Sequence, residues 1–200
     1  MKVTRQTLVA GGALAAIVGG ACWAVKAAGI LITGVQPPVI YDVAPLFFPV
    51  TVLGLYSLLD EPRSGSAKSG LVLACCAELA ALILVVGLVV GPPEWSPDGN
   101  TVTVLTPFTA VASLATLVGL CLLGVVVRRT HALAGWWATL PVLLSLSAIP
   151  LLAVGALLEI IEERLFEAPT LVLGLGWITL GAVMARRPRT AINGQIGSSG

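Results

Sequence analysis

The chain has 200 residues, of which 57% are hydrophobic and 10% charged, with a formal net charge of +1 and a mean hydropathy of +1.00. A water-facing globular surface needs roughly 25% charged residues, so this composition excludes a soluble domain and makes the bilayer the solvent. The near-neutral balance gives no sign of a nucleic-acid partner.

The apolar segments predict an all-α, polytopic membrane protein: one six-helix domain over residues 1–189, with spans at about 8–32, 43–59, 69–91, 101–127, 132–158 and 168–185. Lys2 and Arg5 precede the first span directly. Ala21-Cys22 superficially suggests a lipoprotein cleavage site. Gly19 stands where a branched aliphatic residue is expected, however, so the segment is read as an uncleaved helix. Gly12, Ala16 and Gly20 recur at four-residue spacing, leaving a face on which another helix can approach closely, in this chain or in a homo- or hetero-oligomer.

The second span carries Pro45 in its first turn, where proline is tolerated, and Pro49 deeper, where a kink is expected. The third, SGLVLACCAELAALILVVGLVVG, contains Glu78 as its only charge. Pro107 opens the fourth span, and Arg128-Arg129 close it. Trp136-Trp137 open the fifth span at interfacial depth, and Pro141 and Pro150 predict bends in it. The sixth follows Pro169 and ends at Arg186, Arg187 and Arg189, and the Gly/Ser-rich tail 190–200 is expected to be disordered.

Charge placement orders the threading. With six alternating spans, nine of the 11 basic residues fall on one side: Lys2, Arg5, Arg63, Lys68, Arg128, Arg129, Arg186, Arg187 and Arg189. By the positive-inside rule that side, with both termini, is the cytoplasm. Asp42, Glu94, Asp98, Glu159, Glu162, Glu163 and Glu167 fall opposite. Pro45, Pro107 and Pro169 are spaced by 62 residues, which raises a threefold hairpin repeat as a question, although residues aligned at that offset share little identity.

Two intramembrane charges are the candidate polar site. Glu78 lies about 12 Å into its span, and its insertion cost of roughly 3 kcal/mol is offset by twelve Leu, Ile and Val residues in the same helix, so it needs no function to exist. Lys26 lies about 9 Å below the outer end of the first span; it either snorkels outward beside Trp23 or reaches Glu78 as an ion pair. Cys22, Cys75, Cys76 and Cys121 read as packing residues, and no spacing implies a cofactor or metal. The lone His131 reads as a loop residue at the cytoplasmic interface.

These features lead to two functional expectations. The first is a small non-catalytic protein of the plasma membrane that interacts with lipid or protein partners. The second is a small-solute or proton-coupled transporter using Glu78.

Overall fold

The computed structural model describes residues 4–35, 43–59, 64–95 and 102–186, and these residues form six α-helices and no strand. The helices are α1 (Arg5–Thr33), α2 (Phe47–Tyr56), α3 (Gly65–Val90), α4 (Thr106–Arg129), α5 (Leu140–Glu159) and α6 (Glu167–Ala185). Short 3₁₀ turns lead into α2 (Ala44–Leu46), α5 (Gly135–Thr139) and α6 (Glu163–Phe166). Counting these lead-in turns for α5 and α6, five segments are long and apolar enough to cross a membrane. The sixth, Ala44–Tyr56, is short. Tail 190–200, together with Lys2, Asp42, Arg63, Asp98, Arg187 and Arg189 of the charge count, lies outside the described residues.

Local chemistry sets the boundaries where they depart from the apolar runs. The Ser64 hydroxyl accepts from the Ala67 N–H at 3.2 Å, so α3 begins in what reads as a hydrophilic connector and takes in Lys68. Thr4 caps α1 in the same way, and Gly34, at φ 74°, ends it in the left-handed conformation that glycine adopts without penalty. Pro107 and Pro141 occupy the first positions of α4 and α5, where no intrahelical N–H is needed. Pro141 therefore starts a helix and does not bend one, and Pro49 sits in the first turn of α2, just past its 3₁₀ lead-in. Among the described residues only Pro150 lies in a helix interior, and it is exposed. After α4 the His131 N–H bonds to Arg128 O and the Ala132 N–H to Val127 O, a Schellman ending with His131 at φ 51° where glycine is usual.

Consecutive helices pack antiparallel, and α1 also packs antiparallel on α6, closing the bundle. Glycines set these approaches. A Cβ on Gly12 would lie 2.6 Å from Gly54 Cα of α2, and one on Gly20 would lie 2.6 Å from Gly174 O of α6. Ala16 is fully buried on the α6 side, close to Gly181. The small-residue face Gly12, Ala16, Gly20 is thus consumed within the chain; in this arrangement it is not open to a second copy.

The helix faces are distributed as in an inverted globule. Large apolar side chains such as Leu79, Val86, Leu114, Leu146, Ile149 and Val172 point outward, while the interior is rich in Ala and Gly. The exception is α2, which has no exposed residue along 43–59 and is wrapped by α1, α3 and α4. The Arg5 guanidinium donates to the Ser57 and Leu58 carbonyls at 2.5 and 2.8 Å and so caps the end of α2.

The antiparallel order also sorts charge. Arg5, Lys68, Arg128, Arg129 and Arg186 lie at one end of the bundle, and Glu94, Glu159, Glu162, Glu163 and Glu167 at the other.

Candidate functional site: a buried ion pair at a central cavity

On the α1–α6 seam, Ala13 meets Gly181 and Gly20 meets Gly174. Continuing that antiparallel register toward the acidic end brings Lys26 opposite the first residue of α6. There the Lys26 ammonium donates to Glu167 Oε1 at 2.7 Å, with only 10% and 9% of the two side chains exposed. Glu167 also stands at the positive end of the α6 dipole, which favours a carboxylate. This pair replaces both sequence-based readings of Lys26. It does not snorkel, because its side chain is buried. It does not meet Glu78, because α2 lies between α1 and α3 and those two helices share no substantial contact.

Glu78 is half-buried on α3, at the margin of the stripe Ala67, Gly70, Ala74, Ala77, Ala81 and Leu84 that faces the bundle. Of its neighbours one turn away on the helix, Ala74 and Ala81 are buried but Cys75 and Leu82 are exposed. Its Oε2 is buried without a hydrogen-bond partner. Cys75 and Cys76 are exposed, and all four cysteines are free thiols. Among the described residues, no three His, Cys, Asp or Glu side chains gather in a way that could hold a metal ion.

Beside the ion pair lies a cavity of about 270 Å³ enclosed by α1, the start of α2, α4, α5 and α6. Four aromatic rings line it, those of Trp23, Phe48, Phe166 and Trp177; Trp23 and Phe48 meet edge to face at 4.7 Å between centroids, and Phe48 and Trp177 lie at 4.5 Å. Among the described residues Lys26 supplies the only charged lining group, Ser113, Thr116 and Thr170 supply hydroxyls, and the rest of the lining is mainly apolar. The Thr116 hydroxyl donates to Ala112 O at 2.6 Å within its own helix. Trp23 Nε1 and Glu167 Oε2 are buried with no hydrogen-bond partner, and Glu167 is not among the residues that line the cavity. The cavity does not extend to Glu78.

The cavity opens sideways. α4 and α5 pack closely at Gly124, where a Cβ would lie 2.9 Å from Val142 N. About three turns from that contact, Ser113 of α4 and Leu152 of α5 both line the cavity and are both exposed, Leu152 to 46%. The mouth lies between two helices whose outward faces carry Val111, Leu114, Val118, Leu146 and Ile149.

Comparison with protein-family models, with curated proteins and with solved structures finds no match for this chain.

Glu167 is the site residue missed by sequence reasoning, which counted it only among the acidic residues opposite the basic side. A usable signal exists: it stands two residues before the proline of the last apolar run, at the level Lys26 reaches if the first and last runs align antiparallel.

Proposed function

We propose that the chain is a multi-pass protein of the cell membrane, crossing six times with both termini cytoplasmic, whose role is non-catalytic and directed at lipid. The observation that carries this reading is the central cavity, mainly apolar, whose mouth lies on the apolar flank between α4 and α5. Such a mouth is reached from hydrocarbon more readily than from water. The segregation of basic and acidic side chains supports the orientation, with the basic end inside. The sixth crossing is α2 with its flanking turns, sheltered from lipid by its neighbours.

A labelling experiment tests the threading. In a background with the four native cysteines replaced by alanine, Glu94→Cys and Glu163→Cys should react with a membrane-impermeant maleimide on intact cells. Ser64→Cys and His131→Cys should react only after permeabilisation. Inverted or mixed labelling overturns the arrangement.

One observation favours the transport alternative, the unpartnered Oε2 of Glu78. Proton flux in proteoliposomes that is abolished by Glu78→Gln would establish it over the first reading; absence of flux removes it.

A further inference from the structure

Resting on the reading that the α4–α5 flank faces lipid, we propose that the central cavity seats one acyl chain of a bilayer lipid, which enters sideways between α4 and α5 while its headgroup stays outside, at the membrane surface on the acidic side. No polar contact inside the cavity is required. Shape, depth and lining each point to that occupant.

Leu144, Ala148 and Leu152 line the cavity from successive turns of one face of α5, so the space runs along the helix axis for about 12 Å. A volume of about 270 Å³ drawn out over that length is a slot, which takes one hydrocarbon chain and excludes a whole two-chain phospholipid.

Depth fixes which part of the chain enters. The mouth residues Ser113 and Leu152 each stand seven residues from the acidic ends of their helices, at Thr106 and Glu159, and so about 10 Å below that surface. Trp177 stands ten residues from Glu167, about 15 Å down, close to the midplane of a hydrocarbon core roughly 30 Å thick. A lipid of the adjoining leaflet therefore runs the first part of its chain past the outside of the bundle, reaches the mouth near mid-chain and turns its methyl half inward.

The lining agrees with that direction. The polar groups of Lys26, Ser113 and Thr170 belong to residues within about 10 Å of the acidic end, and the Lys26 ammonium is already held by Glu167 at 2.7 Å. Deeper in, the wall is made by Trp23, Leu117, Leu144, Ala148 and Trp177, with Phe48 against both indoles. Thr116 shares this level, and its hydroxyl donates to Ala112 O within its own helix. A methyl-terminated chain matches such a wall and restores the dispersion contacts that an empty slot forfeits. Val111, Leu114, Leu146 and Ile149, exposed on the flank around the mouth, keep lipid chains at the opening.

The test uses the full chain in nanodiscs, with Trp23, Trp95, Trp136 and Trp137 changed to phenylalanine so that fluorescence reports Trp177 alone. Trp177 is 3% exposed, so lipid running along the outside of the bundle does not touch it. Phospholipid brominated near the methyl end of its chains is mixed with unbrominated lipid in increasing proportion, and bromine quenches an indole on contact. Trp177 emission should fall linearly with the brominated fraction, as a single site exchanging one chain at a time requires. Lipid brominated near the carboxyl end of its chains should leave it unchanged. Ala148→Phe, which fills the slot from its wall, should abolish the loss; if that variant does not fold, Ser113→Phe, which narrows the mouth from an exposed position, replaces it and should reduce the loss. Leu114→Trp, in a chain whose five native tryptophans are all phenylalanine, reports lipid on the outside of the same flank. It should be quenched whether or not the slot is filled.

A quenched Leu114→Trp with an unquenched Trp177 overturns the chain site and leaves the lipid-facing reading standing. Loss of Trp177 emission that survives the filled or narrowed slot, or that is equal for the two bromine positions, overturns the site as well. An unquenched Leu114→Trp overturns the lipid-facing reading, and the chain site with it.

Discussion

Lys26 and Glu78 are both charges within long apolar helices, yet the fold treats them oppositely. Lys26 lies on the tightest seam of the bundle, between two helices brought together by Gly20 and Gly174, and it meets a carboxylate there. Glu78 lies at the edge of a stripe of alanines, half-buried, with one oxygen unpartnered. The lesson is that depth along a helix does not decide what a charge within an apolar run does. The decisive factor is which face it occupies and whether a neighbour on that face carries the opposite sign.

The comparison can be broken at its strongest point first. Lys26→Met should destabilise the protein by about 3–5 kcal/mol, because it leaves the Glu167 carboxylate an uncompensated buried charge, and Glu167→Leu should destabilise it as well. The double variant should lose less than the sum, with a coupling of about 1–3 kcal/mol, measured by denaturant titration in detergent micelles. Additive losses would mean that the two groups do not act as a pair.

Glu78→Leu should move in the opposite direction. In a translocon insertion assay of the isolated α3 segment it should favour insertion by about 3 kcal/mol, the cost of the central carboxylate. A loss of stability in the whole protein would reveal a partner for Glu78 and undo the contrast.

Gly20→Val attacks the seam without touching a charge. Its Cβ has Gly174 O at 2.6 Å and Ile178 N at 2.8 Å, both backbone atoms that cannot rotate away, so a cost of about 1–3 kcal/mol is expected. If the seam positions the pair, Gly20→Val should also reduce the Lys26–Glu167 coupling; unchanged coupling would separate the two.

His131→Gly serves as the smallest and most remote change. It relieves a left-handed residue in the α4 ending and should stabilise by about 1 kcal/mol while leaving the coupling and the effect of Glu78→Leu untouched. A change in either would point to a rearrangement that reaches beyond the loop.

Legibility in the sequence followed the physics of each feature. Helix existence was readable because a long apolar run must satisfy its own backbone hydrogen bonds, and five of the six expected segments stand as helices of spanning length. Boundaries were less readable, since Ser64, Pro107 and Pro141 set them through capping and missing N–H groups outside the hydropathy signal. The kinks expected at Pro49 and Pro141 dissolved for the same reason: both prolines sit in first turns. The site was half-readable. Lys26 stood out as a basic residue in an apolar run, whereas Glu167 was hidden among Glu159, Glu162 and Glu163, and only its neighbours in space distinguish it.

By itself the sequence determined the number of helices, their apolar character and the small-residue faces, because these depend on composition and short-range periodicity. Tertiary structure alone decided that Gly12, Ala16 and Gly20 serve contacts within the chain, that α2 is short and wrapped, and that Lys26 answers to Glu167. These outcomes depend on which helices become neighbours and in what register, and helices 141 residues apart in sequence exchange no signal until they pack.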